Sequence, residues 1–292
     1  MTNPGILAQI IGKATGRPFS IADLDGAGRG CINRASVMTG KDGRRFFVKF
    51  NSARRVEMFA AESEGLQAIE ATQAIRVPHA IAHGVAGDNA FLALEWLGLG
   101  GRGDAAELGR QLAAMHRATS TTFGWHRDNT IGSTPQSNTP SMDWIEFWRE
   151  RRLRPQIELA RASKAPHRLI EKVEGLMARL DALFSGYRPV PSLLHGDLWG
   201  GNFAWCDGHP VLFDPAVYFG DREADLAMTE LFGGFPAGFY AAYREVWPLD
   251  PGYPVRRGLY NLYHILNHFN LFGGGYAGQA ESMTEALLAE VD

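Results

Sequence analysis

The chain has 292 residues, 45% hydrophobic and 21% charged, an ordinary globular composition that excludes a disordered chain and leaves room for one large or two modest domains. Its formal net charge is -3, and no clustered excess of Lys and Arg marks a nucleic-acid surface; the densest basic stretch, Arg149 to Arg154, is interrupted by Glu150 and reads as a solvated helix face. Two cysteines, Cys31 and Cys206, cannot build a disulfide framework, no apolar run is long enough to span a bilayer, and no signal-peptide pattern opens the chain, so the expected compartment is the reducing cytoplasm.

In chain order, the apolar spacing of Ile6, Leu7, Ile10, Ile11 and Ala14 predicts a first helix. Between Ile21 and Phe50 the pattern changes to short β-prone segments, broken by Gly26, Gly28 and Gly30 and by the turn Lys41-Asp42-Gly43, a hairpin signal. Met58 to Ala71 reads as a helix with Phe59, Leu66 and Ile69 on one face, and Phe91 to Leu97 as a short strand running into the glycine-rich connector Gly98-Gly101. Helices are predicted over Ala105–Arg117, Ser141–Ala162 and Ala165–Phe184. A strand-and-loop segment from Ser192 to Phe219 follows, then helices from Asp225 onward. A β-rich first third joined through a glycine-rich connector to a helical remainder predicts an α+β chain of two lobes with a ligand cleft between them.

The chemistry concentrates in Asp197, Asn202 and Asp214. Asp197 and Asn202 stand five positions apart in a loop after the apolar Leu193-Leu194, and Asp214 follows the apolar run Val211-Leu212-Phe213; a hairpin of those two runs would set the loop beside Asp214. Phosphoryl transfer needs metal ions to neutralise phosphate charge and a carboxylate to orient the attacking hydroxyl and accept its proton. An Asn oxygen with a carboxylate supplies the hard ligands that magnesium prefers. Each residue alone is an ordinary turn or strand-end residue; the order Asp, four residues, Asn, then Asp after a short strand is that of a kinase catalytic loop followed by its metal-binding Asp.

Lys49, late in the apolar strand Phe46-Phe47-Val48-Lys49-Phe50, must reach water or hold a charged partner. The kinase pattern makes it the phosphate-gripping lysine paired with a glutamate of the next helix. Glu64, nearest the helix middle, is the preferred partner, with Glu57 and Glu62 as competitors. Upstream, Gly28, Gly30, Cys31, Ile32 and Asn33 form a glycine-rich turn whose N–H groups suit phosphate oxygens, although no Walker A sequence follows. A Cys31 thiol in such a loop is either a reactive, oxidisable group or a small filler. Glu95, Trp96 and Leu97 would offer backbone groups to adenine. The division that follows is a nucleotide-binding lobe over residues 1–95, a hinge over 96–101, and a catalytic and substrate lobe over 102–292.

These residues resemble the aminoglycoside phosphotransferase and choline kinase branch of the protein-kinase-like fold, in which His-Gly-Asp replaces His-Arg-Asp. More narrowly, His195 to Asn202 and Phe213 to Thr229 resemble the fructosamine-3-kinase (ketosamine-3-kinase) family, as do the blocks Asp128–Gly132, Pro135–Asn138, Trp144–Arg152 and Leu262–His268. The resemblance implies a bilobal fold and transfer of the ATP γ-phosphate to the 3-hydroxyl of a ketosamine, which leads to deglycation. It implies Asp197 as catalytic base, Asn202 and Asp214 as Mg2+ ligands, Lys49 on the phosphates, and Asp225 and His195 as supports of the loop. Trp199 is placed beside the sugar. A kinase of another small alcohol, such as choline or an aminoglycoside, and an ATP-binding pseudokinase are the alternatives. The expected partner is a small or protein-bound ketosamine, with no nucleic acid or membrane, and the expected state a monomer or weak dimer.

Overall fold

The computed structural model describes residues 2–29 and 33–291; Gly30, Cys31 and Ile32 of the glycine-rich turn lie outside the described residues. Two compact units divide the chain: Met1–Asp104 with Phe203–Pro215, and Ala105–Asn202 with Ala216–Asp292. The first unit thus takes back a later stretch that a linear division at residue 95 leaves to the other part.

In the first unit, α1 (Pro4–Ala14) starts where Asn3 Oδ1 accepts the Gly5 and Ile6 N–H groups at 3.1 and 3.2 Å, with Pro4 in the first helical turn. The strands β1 (Ile21–Arg29), β2 (Arg34–Gly40), β3 (Arg45–Ser52), β4 (Ala80–Ala86) and β5 (Asn89–Glu95) form an antiparallel sheet in the order β1-β2-β3-β5-β4. The β2–β3 turn is the predicted one: Gly43 has φ +80°, and Asp42 accepts from the Arg44 N–H and guanidinium. Strand alternation sends Phe46, Val48 and Phe50 into a core with Leu7, Ile11, Met38 and Phe91, which turns Lys49 to the opposite face. Helix α2 (Val56–Ala71) supplies a partner there.

The second unit opens with α3 (Ala105–His116), followed by the hairpin β6 (Asn129–Ile131) and β7 (Thr134–Gln136). The single helix expected over Ser141–Ala162 is broken. Asp143 caps α4 (Trp144–Trp148), a π-turn occupies Arg149–Leu153, and α5 (Arg154–Ala162) resumes. Wider π spacing re-phases the side chains, and it corrects the reading of Arg149 to Arg154 as a wholly solvated face. Arg152 is fully buried, donating to Ser137 O at 2.6 Å and Asn138 Oδ1 at 2.7 Å beneath the Tyr218 ring. Helix α6 (His167–Met177) and a short turn at Leu180–Phe184 lead to β8 (Ser192–Leu194).

The strand pairing expected around the loop of Asp197 and Asn202 is also corrected. The chain forms β9 (Phe203–Cys206) and β10 (His209–Leu212), which pair with each other in the first unit, whereas β8 pairs with β11 (Tyr218–Gly220) in the second. Leu193-Leu194 and Val211-Leu212 are therefore not partners. The reason is the two-residue turn Asp207-Gly208, with φ +52° and +83°, which folds β10 back on the strand just before it. Helices α7 (Glu223–Leu231), α8 (Ala237–Val246), α9 (Tyr253–Phe272) and α10 (Tyr276–Ala289) complete the second unit. Helix α9 buries Leu259, Tyr260, Tyr263 and Leu266 in the core that also holds Trp144 and Trp148, with both tryptophan rings against Tyr260. No helix among the described residues is long and apolar enough to cross a membrane.

Candidate active site

In the first unit Lys49 is buried and shared between two carboxylates, donating to Glu62 Oε1 and Asp214 Oδ1 at 2.5 Å each. Burial alone would push the ammonium down, but Glu62 and Asp214 together hold it well above the ordinary lysine value. Two carboxylates share one cation, and burial, with Asp214 beside it, pushes the Glu62 carboxyl up despite Lys49. The expected partner Glu64 is corrected to Glu62 by helical phase. At 100° per residue, Glu62 falls on the stripe of Phe59, Leu66 and Ile69, whereas Glu64 points to another side of α2. Asp214 follows β10 with φ +58°, a left-handed conformation that costs on the order of 1–2 kcal/mol in a non-glycine residue. Such strain is retained at functional positions.

A cavity of about 650 Å³ opens over this triad. Of the residues singled out in the sequence, Asn33, Lys49, Glu95, Trp96, Leu97 and Asp214 line it. The Gly28 backbone pairs with Ala35 at the end of β1. Ala35, Val37 and Leu94 add apolar walls that sequence reasoning had not singled out, although strand alternation in β2 was the available signal. Glu95 is turned aside to accept from Arg76 at 2.9 Å, and the Trp96 ring lies under the Arg45 guanidinium at 3.7 Å. The Leu97 N–H has no hydrogen-bond partner among the described residues.

In the second unit the loop after β8 carries Asp197 and Asn202. Asn202, buried, donates from Nδ2 to Asp197 O at 2.8 Å and Asp197 Oδ2 at 3.1 Å. Gly196 has φ +81°, and a Cβ there would stand 2.1 Å from Ala216 O, so the segment requires glycine between His195 and Asp197. Asp225, at the start of α7, anchors the loop: its Oδ1 accepts the Gly196 N–H at 2.8 Å, and its Oδ2 accepts the His195 N–H at 2.7 Å and His116 Nε2 at 3.1 Å. Burial opposes ionisation of Asp225, yet His116, His195 and the Gly196 N–H hold it below the ordinary carboxylate value. Trp199 is 39% exposed with its ring edge-on to Phe232. His116 had no place in the sequence reading. Its i+4 spacing from Leu112 and Leu108 on α3, all buried, was the signal.

Each unit carries an oxygen donor of the hard kind that magnesium prefers. The Asn202 amide, with its nitrogen committed to Asp197, leaves Oδ1 as a hard oxygen, and Asp214 is about half exposed with one oxygen on Lys49.

A lysine–glutamate–aspartate triad under a cavity, with an Asp-Asn loop clamped by a buried aspartate, defines a phosphotransferase of the protein-kinase-like class. The family pattern described as fructosamine kinase matches residues 5–290, and the chain belongs to that family. A candidate ketoamine kinase of Synechocystis sp. is 47% identical over 288 residues, 97% of this chain and 96% of that protein. The chloroplastic protein-ribulosamine 3-kinase of Arabidopsis thaliana is 45% identical over 282 residues, 95% of this chain and 85% of that protein. A crystal structure of a candidate fructosamine-3-kinase from Thermobifida fusca, 33% identical, matches with a TM-score of 0.85 over 97% of this chain and 98% of its own. An ADP-bound aminoglycoside phosphotransferase, 13% identical, shares the fold at a TM-score of 0.61 over 95% of this chain and 98% of its own.

Proposed function

We propose that the protein transfers the γ-phosphate of ATP to the 3-hydroxyl of a ketosamine, a sugar–amine adduct, and so initiates its deglycation. The observation that carries phosphoryl transfer is Lys49 held between Glu62 and Asp214 beneath the cavity, in a chain whose Asn202 is fastened to Asp197. The ketosamine follows from relatives at 45–47% identity over nearly the whole chain, which carry ketoamine and ribulosamine kinase names.

In this reading the Leu97 N–H and the apolar walls from Ala35, Val37 and Leu94 receive adenine. Lys49 exchanges its contact with Asp214 for the phosphates while keeping Glu62. Asn202 through Oδ1 and Asp214 are the residues that would hold Mg2+, which would neutralise phosphate charge. Asp197 orients the substrate hydroxyl and takes its proton as the oxygen bonds to the γ-phosphorus. The bond from that phosphorus to the bridging oxygen breaks, and ADP leaves with the electron pair. Trp199 flanks the sugar with its exposed ring. The full set Lys49, Asp197, Asn202 and Asp214 disfavours a pseudokinase.

The test is ATP consumption across fructosamine, ribulosamine and erythrulosamine adducts, with choline and an aminoglycoside alongside. At least one ketosamine is expected to be phosphorylated, and Asp197→Asn to lower turnover by about 100-fold or more. Phosphate transfer to choline or the aminoglycoside but to no ketosamine would reject the substrate assignment, and an unimpaired Asp197→Asn would reject the base.

A further inference from the structure

Behind the catalytic loop runs a buried hydrogen-bond chain that the transfer reaction does not itself call for. Arg222 donates from Nη2 to Pro248 O at 2.6 Å, and from Nη1 to Trp247 O at 3.1 Å and the Tyr243 hydroxyl at 3.2 Å. The Tyr243 oxygen lies 2.8 Å from His116 Nδ1, and His116 Nε2 lies 3.1 Å from Asp225 Oδ2. Tyr243 and His116 are both fully buried and Asp225 nearly so.

The donors and acceptors in this chain can be assigned in only one direction. A guanidinium has N–H donors and no acceptor, so the Tyr243 oxygen accepts from Arg222. The single tyrosine proton then goes to His116 Nδ1, which must be bare. An ionised carboxylate only accepts, so the remaining imidazole proton sits on Nε2 and points at Asp225. A proton on Nδ1 as well would leave the buried Tyr243 O–H without an acceptor, and a buried orphan donor is costly. The order is therefore Arg222 to Tyr243 to His116 to Asp225.

We propose that His116 is a positioning residue for the catalytic base: its Nε2–H fixes the rotation of the Asp225 carboxylate so that each oxygen faces one of the two loop amides. The geometry behind this is the division of labour at Asp225. One oxygen takes the Gly196 N–H alone, and the other takes the His195 N–H together with His116. Two amides alone leave the carboxylate plane free to rock about the Cβ–Cγ bond; the third donor, on one side, restrains that rocking. Those amides lead directly into the left-handed Gly196 before Asp197, so a shifted carboxylate displaces the base. The proposal rests on the kinase reading for its catalytic consequence, whereas the proton assignment stands apart from it.

The test pairs two substitutions at His116. A glutamine is long enough to present its amide N–H to Asp225 as Nε2 does, and an asparagine reaches only as far as Nδ1, toward Tyr243. In steady-state kinetics with ATP and a ketosamine, His116→Asn is expected to lower kcat by about 10- to 100-fold with both KM values unchanged. His116→Gln is expected to keep most of kcat although it also loses packing volume. Equal loss in the two variants, loss that tracks their melting temperatures, or an unimpaired asparagine variant overturns the proposal. Should either variant fail to fold, nitrogen-15 NMR of the wild-type chain decides: the expected tautomer has its proton on Nε2 and a bare Nδ1, and the reverse tautomer overturns the proposal. Because the NMR needs no substrate, a wild-type chain that phosphorylates no ketosamine would refute the function without touching the tautomer result.

Discussion

Replacing Lys49 with methionine removes the one cation shared by two carboxylates, and the structure fixes what that should cost. The methionine fills most of the lysine stem's volume, so the loss is electrostatic. Glu62 has only 11% of its side chain exposed, whereas Asp214 has 47%. Asp214 can be rehydrated, and its share is discounted for solvent screening. Glu62 cannot, and breaking a buried pair from one side costs about 3–5 kcal/mol. Burial already holds the Glu62 carboxyl above its ordinary value with Lys49 present, and without Lys49 it rises further. A raised carboxyl stabilises the fold below its unfolded value and loses that contribution as pH rises through the folded one. The methionine variant should therefore be mildly destabilised near pH 5 and bear the full cost near pH 8. Urea midpoints and slopes at both pH values measure this, the slopes checking that a single transition is followed. Glu62→Gln added to Lys49→Met should recover much of the loss at pH 8, since glutamine needs no cation. An equal cost at both pH values, or no recovery in the double variant, would refute the account of the triad.

Two further perturbations test the second unit. Gly196→Ala sets a Cβ against Ala216 O, whereas Gly186→Ala, at a similar φ of +76°, meets nothing within 4 Å. Both should pay the left-handed penalty of roughly 1–2 kcal/mol in stability, but only Gly196→Ala should lose turnover, by about 100-fold; equal turnover in the two would show that the close approach does not position the loop. His264 is pushed down to about 3 by burial, with His268 nearby adding to the effect, so it folds neutral while the unfolded chain takes up a proton at about pH 6.5. A depressed histidine contributes stability above its unfolded value and loses it on acidification, by about 2 kcal/mol at pH 5. The stability difference between wild type and His264→Gln should shift by that amount in favour of the variant between pH 7.5 and pH 5, other groups cancelling in the difference. A pH-independent difference would refute the burial argument.

How much was legible follows from what each residue's signal depends on. Lys49, Asp197, Asn202 and Asp214 are polar groups within or close to apolar strands, where chemistry at a fixed spacing is visible without a fold. Glu62 was legible in principle, because helical phase separates it from Glu64, but position along the helix was the wrong criterion and phase the right one. The strand pairing was misjudged because two apolar runs say nothing about a nearer partner. The Asp207-Gly208 turn, which makes β9 the partner of β10, is the local feature that decides it. Arg152 was beyond sequence reasoning, since a π-turn that swings an arginine inward leaves the pattern of a basic helix face intact.

The run Asp221-Arg222-Glu223-Ala224-Asp225 shows why a dense polar motif can carry family resemblance without touching a substrate. Four of its five residues are charged. In the structure each serves a different buried attachment. Asp221 accepts from Tyr187 and Tyr260, Arg222 donates to the Trp247 and Pro248 carbonyls, Glu223 pairs with Arg256, and Asp225 takes the loop amides. A buried charge is tolerated only with a matched partner, so none of the four can change without a compensating change elsewhere in the unit. The exposed ring of Trp199 faces no such requirement from the core. Substrate preference among chains of this family should therefore vary at positions such as Trp199 and the ring beside it, Phe232, sooner than at the charged run. Exchange of Trp199 for smaller aromatics should change the ratio of kcat/KM between ribulosamine and fructosamine, and an unchanged ratio would place the selecting contacts elsewhere.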